Sequence, residues 1–125
     1  VVAAEAAFSN TIGFYQVTNA LTGTIVTAAG TFNPGDANYA RQAVLNRVDP
    51  NNLTAGSIYA PFLISNNTAE NFVAGQGNAF FAYLGANVDG RDHIRLLGSN
   101  LFGFEDQLGG GDNDFNDAIV RVTTT

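Results

Sequence analysis

A chain of 125 residues with no cysteine, no lysine, five arginines and eleven acids, net charge −6, can form neither disulfides nor thiolate metal sites. It also lacks the basic surface that a phosphate backbone demands, and no apolar run approaches the ~20 residues of a membrane span. Nucleic acid binding and helical membrane insertion are therefore excluded, and the length suits one domain over residues 1–125 with a core that needs no covalent staple.

The chain opens on VVAAEAAF, which lacks the basic flank and long apolar centre of a secretory leader. This segment is strand-prone and nearly uncharged, so residues 1–10 form a candidate inter-subunit strand. TIGFYQVT (11–18) is rich in β-branched and aromatic residues and is followed by the turn-like NALTG and then TIVTA, which predicts a hairpin. After the breaker FNPGD, the segment ANYARQAVLNRV sets Tyr39, Ala43, Val44 and Arg47 at helical spacing, with Asp36 as N-cap and Asp49-Pro50 as the stop. Beyond it, SIYAPFLIS, ENFVA, NAFFAYLGA, DHIRLLG, LFGFED and DAIVRVTTT are short apolar runs separated by Asn, Gly or Asp clusters. They read as strands. The expected fold is all-β, an antiparallel β-sandwich or jelly roll with one short helix.

Charge is concentrated in one place. FGFEDQLGGGDNDFND (Phe102–Asp117) holds Glu105, Asp106, Asp112, Asp114 and Asp117 with no arginine, and these five of the eleven acids leave the rest of the chain at −1. Two carboxylates ~4 Å apart repel by roughly 1 kcal/mol in water and several times that near a protein surface, so five together call for a cation. Calcium takes six to eight oxygen ligands on a backbone able to wrap the ion. Asp112-x-Asp114-x-x-Asp117 provides converging carboxylates, Asn113 and Asn116 neutral oxygens, and Gly109 to Gly111 the conformational freedom for a tight approach. The candidate metal ligands are Glu105, Asp106, Asp112, Asp114, Asn116 and Asp117. One divalent ion would bring the local charge from −5 to −3, and two to −1. Magnesium, which prefers a rigid octahedron, suits the segment less well, and the spacing is not that of an EF-hand. The competing interpretation is a solvated turn whose Asp and Asn side chains cap their own backbone.

The stretch from PFLIS through FFAYLGANVDGRDHIRLLGSNLFGFEDQLGGGDNDFNDAIVRV resembles the bacterial domain-of-unknown-function family 4114. Its most specific pieces are Ala86-Asn87, Asp92-His93, Leu97-Gly98, Phe102 to Asp106 and Gly110 to Asp117, and GFYQV upstream is compatible with the N-terminal part of that family. The family occurs in large secreted or surface-attached proteins of cyanobacteria and other Gram-negative bacteria, often beside calcium-binding repeats and adhesive modules. The resemblance implies an extracellular, calcium-loaded β module and no enzymatic activity.

Other chemistry is thinner. His93 is the single histidine, and none of Ser57, Ser65 and Ser99 sits in a nucleophile-elbow context, so a structural hydrogen bond is its expected role. Asn87, Asp89 and Asp92 form a weaker oxygen cluster that also reads as a hairpin turn. Tyr15, Tyr39, Tyr59 and Tyr83 are candidates for a sugar-binding platform, against the commoner role of core neighbours. The expected function is a non-enzymatic calcium-binding structural or adhesive module, extracellular or at a bacterial cell surface. The rivals are a self-assembling subunit of a filament or surface layer joined through terminal strands, and a calcium-dependent lectin whose partner is a surface glycan.

Overall fold

The computed structural model describes residues 3–4, 10–49, 53–65, 67–87, 93–98, 101–104 and 118–121, those at 3–4, 95–98, 101–104 and 118–121 by their backbone. Within them the chain is mainly β, in antiparallel sheets. In chain order the elements are β1 (Ala3–Ala4), β2 (Thr11–Val17), β3 (Ile25–Thr27), β4 (Gly30–Phe32), α1 (Tyr39–Leu45), β5 (Ile58–Ser65), α2 (Ala69–Val73), β6 (Asn78–Phe81), β7 (Ile94–Gly98), β8 (Leu101–Phe104) and β9 (Ala118–Arg121), with one 3-10 turn at Leu84–Ala86. Three sheets result, ordered β2-β5-β6, β1-β9-β8-β7 and β3-β4.

β5 is the centre of its sheet, and its run APFLI is buried on both faces, which is why it reads as continuous apolar sequence rather than as an alternation. The register Gly13↔Phe62, Tyr15↔Ala60 and Phe62↔Phe81 puts Tyr15, Val17, Ala60, Phe62, Ile64, Ala79 and Phe81 on one face. That face meets Tyr39, Ala43 and Val44 of α1 and Ile25 of β3 to form the main core. The opposite face carries Leu63 and Phe80, which pack with Ile12 and with Ile94 of β7. Gly13 is required where it stands, because a Cβ there would lie 2.4 Å from the Phe62 ring.

Several expectations are corrected. β2 does not form a hairpin with the TIVTA segment. It pairs along its whole length with β5, from Thr11↔Ile64 to Val17↔Ile58, while β3 pairs with β4. β5 offers β2 a seven-residue ladder and a buried face, whereas β3 is three residues long with Val26 exposed. ENFVA is helical, not extended: Thr68 Oγ1 accepts a hydrogen bond from Asn71 N (3.1 Å) and thereby caps α2. The described residues thus hold two short α-helices rather than one. Asp36 is not the N-cap of α1, whose capping position is Asn38. Its carboxylate instead accepts from Asn33 N at 2.7 Å and closes the preceding turn. Arg47 lies beyond the end of α1 and reaches Glu70 at 3.2 Å, an exposed ion pair that contributes ~0–1 kcal/mol.

Tyr15 and Tyr39 are core residues and no part of a sugar platform. The Tyr39 hydroxyl donates to Gly23 O (2.6 Å), so the 2.9 Å contact between the two hydroxyls has Tyr15 donating to Tyr39. Burial raises the Tyr15 hydroxyl far above the ordinary tyrosine range and pushes Tyr39 up to about 12. In the unfolded chain both ionise near 10.0. The folded state therefore holds its protons longer, and this contribution to stability is complete below pH 10 and lost as pH rises through 12. Urea midpoints measured from pH 8 to 12 should fall above pH 10, and Tyr15→Phe should flatten the fall; an equally steep decline in that variant would place the titrating group elsewhere.

Candidate metal-binding segment and its scaffold

The acid-rich segment 105–117 lies between β8 and β9. These strands pair antiparallel from Leu101↔Arg121 to Phe104↔Ala118, with no irregularity in the register. The two residues that flank the segment, Phe104 and Ala118, are therefore opposite one another on adjacent strands. A long connection closed at its base by a strand pair has already met much of its loop-closure entropy. The same end of the sheet receives two further elements, because Ile94 of β7 is opposite Phe104 and Ala4 of β1 is opposite Ala118. By register Ile94, Leu96, Phe102, Phe104, Ala118 and Val120 share one face of this sheet. LFGF and AIVR, both read as strands from the sequence, are strands here.

All six expected ligands, Glu105, Asp106, Asp112, Asp114, Asn116 and Asp117, lie outside the described residues. So do Asp89 and Asp92. Among the described residues no three His, Asp or Glu side chains come together. The donor set is nonetheless chemically uniform: carboxylates and amide oxygens, with no sulfur and no imidazole, which matches a hard cation such as calcium rather than zinc or copper.

The described residues show how the start of β7 is anchored. His93, immediately before β7, is fully buried and its ring stacks on Phe80, centroids 3.8 Å apart and planes 15° from parallel. Phe80 belongs to β6, so this stack and the contact of Ile94 with Leu63 and Phe80 join the two larger sheets where β7 begins. The expected hydrogen-bonding role of His93 omitted the stacking, because sequence spacing does not reveal which ring lies beneath it.

Asn87 is also structural. It is buried, its Oδ1 accepts from Phe81 N (2.6 Å) and its Nδ2 donates to Phe81 O (2.9 Å), so the amide completes the ladder that β6 would otherwise lose at its last residue. Its side-chain oxygen thus accepts from the backbone of β6. An Asn six residues past an apolar strand is too common a pattern to have signalled this.

Of the remaining tyrosines, Tyr83 packs against Gly23 and donates to Ala20 O (2.8 Å), and Tyr59 accepts from Thr54 N (2.8 Å). That bond, which favours the ionised phenol, lowers the Tyr59 pKa. No described helix is long and apolar enough to cross a membrane.

No curated protein and no solved structure matches the chain. The family comparison covers more than half of it and begins at the turn that precedes β5, although β2, which precedes the matched region, is bonded to β5 along seven residue pairs. Residues 53–125 match the family described as a domain of unknown function, DUF4114, and the chain belongs to that family.

Proposed function

We propose that this chain is a non-enzymatic, extracellular calcium-binding module of β-sandwich form, with a structural or adhesive role at a bacterial surface. The observation that carries the reading is the Phe104↔Ala118 pairing beneath the acid-rich segment. It sets the two ends of 105–117 on adjacent strands, which supports the reading that carboxylates spaced as Asp112, Asp114 and Asp117 converge on a hard cation. Glu105, Asp106 and Asn116 complete the donor set. The sandwich form is supported by the β2-β5-β6 sheet, which is covered on one face by α1 and meets β7 on the other.

Bound calcium would act as a clamp between β8 and β9. Calorimetric titration with calcium should give binding by the parent chain and by Asp49→Ala, and loss of tight binding by Asp114→Ala and Asp117→Ala. Equal affinity in all four proteins would remove the segment as the site.

A second reading, a self-assembling subunit of a filament or surface layer joined through terminal strands, is supported by the strand-prone N-terminal segment, of which Ala3 and Ala4 pair antiparallel with Ile119 and Ala118 of β9. In this reading the N-terminal strand of one copy extends along β9 of another. A calcium-dependent lectin remains the third reading, supported now by Tyr59 and Tyr83 alone among the tyrosines.

A further inference from the structure

Residues 79–84 read AFFAYL, a run of high β-propensity with no charge, no proline and no glycine. On a sheet edge, such a run pairs with the identical run of another molecule, because its backbone groups are open and its side chains stack like on like. β6 is an edge strand of the β2-β5-β6 sheet and contains the first three of these residues, Ala79, Phe80 and Phe81.

The outward side of β6 follows from its bonds. Asn87 takes both the N–H and the C=O of Phe81, so these point away from β5, and alternation puts Ala79 on the same outer side while Asn78 and Phe80 turn toward β5. A donor and an acceptor exchanged with one residue is the pattern that an antiparallel partner strand would make there. The Asn87 amide therefore stands where a neighbouring strand would stand. The strand itself stops at Phe81 although the apolar run continues to Leu84: Ala82 and Tyr83 bend away, and the 3-10 turn at Leu84–Ala86 brings the chain back to the edge. Bonds from Ala86 N to Tyr83 O (3.0 Å) and from Asn87 N to Leu84 O (3.1 Å) hold this return, and the Tyr83 hydroxyl ties it to Ala20 O. The amide is thus fixed by the turn that presents it, and both it and Phe81 are buried. The opposite edge of the sheet differs. On β2, Val48 N reaches Phe14 O at 2.9 Å, and Gln16, which alternation turns to the same outer side, is exposed.

We propose that Asn87 guards the β6 edge and keeps the AFFAYL run of one molecule from pairing with that of a second copy. This guard is independent of calcium binding and of the terminal strands. Amide hydrogen exchange on the intact chain tests it first: the Phe81 N–H should exchange at least about tenfold more slowly than the Gln16 N–H, although both lie on outer edges. Sedimentation velocity at rising concentration then compares the parent chain with Asn87→Ala and Asn87→Asp in one buffer at neutral pH. Both substitutions remove the donor to Phe81 O and lower stability, but the carboxylate puts a charge on the edge and opposes pairing. Asn87→Ala should therefore associate at concentrations where the parent chain does not, and Asn87→Asp should gain no association over the parent. A Phe81 N–H that exchanges as fast as that of Gln16, an Asn87→Ala chain that sediments like the parent at every concentration, or equal association of the two variants would overturn the proposal.

Discussion

Replacing Phe81 by alanine should cost ~3–5 kcal/mol, the range for a buried aromatic whose cavity cannot collapse. Phe81 is fully buried and its ring meets three others: Tyr15 and Tyr39 edge-on with centroids 5.7 and 5.9 Å away, and Phe62 tilted at 6.4 Å. These neighbours come from β2, α1 and β5, elements that pairing and hydrogen bonds hold in place, so they cannot move together to fill the space. The backbone at 81 is tied as well, by the Asn87 amide. Since a domain of this size has a total stability of ~5–15 kcal/mol, such a loss is a large fraction of it. Urea unfolding followed by tyrosine fluorescence measures it. A cost below about 1 kcal/mol would mean that the core repacks around the gap, contrary to the interlocked ring geometry.

Removal of calcium should have the second large effect. If the ion binds the folded segment and not the unfolded chain, it adds RT ln(1 + [L]/Kd) to stability, ~2.7 kcal/mol at a hundredfold excess over Kd. Adding a chelator should then lower the melting temperature, and returning calcium in excess should restore it. Asp114→Ala should melt at the chelated temperature in both conditions. The geometry behind this expectation is the strand pair β8–β9: without the ion, five carboxylates repel one another next to the Phe104↔Ala118 closure. A melt that is unchanged by chelator would reject the clamp. The Phe81 result would be unaffected, because that residue lies in the β2-β5-β6 core.

The sequence by itself determined what depends on local composition and periodicity. The mainly antiparallel β character was legible in the short runs between Gly, Asn and Asp clusters. α1 was legible in the spacing of Tyr39, Ala43 and Val44, all of which are buried. The two strands flanking the acid-rich segment were legible too, as the apolar runs LFGF and AIVR on either side of it, whereas their pairing with one another was not. Tertiary structure decided which elements met. Periodicity records that a strand has a face to bury and is silent on its partner, so TIGFYQV appeared to belong with the nearby TIVTA although the longer, doubly buried β5 was the better match. Five residues such as ENFVA contain too little repeat to separate helix from strand, and the Thr68 cap tipped the balance. Tyr15 and Tyr39 could have lain on either side of a sheet, and the packing of α1 across β2 buried both. The roles of His93 and Asn87 were set at longer range still. Each depends on where β6 lies, the one for a ring to stack on and the other for a backbone to complete, and sequence spacing carries no information about a contact made by a third element.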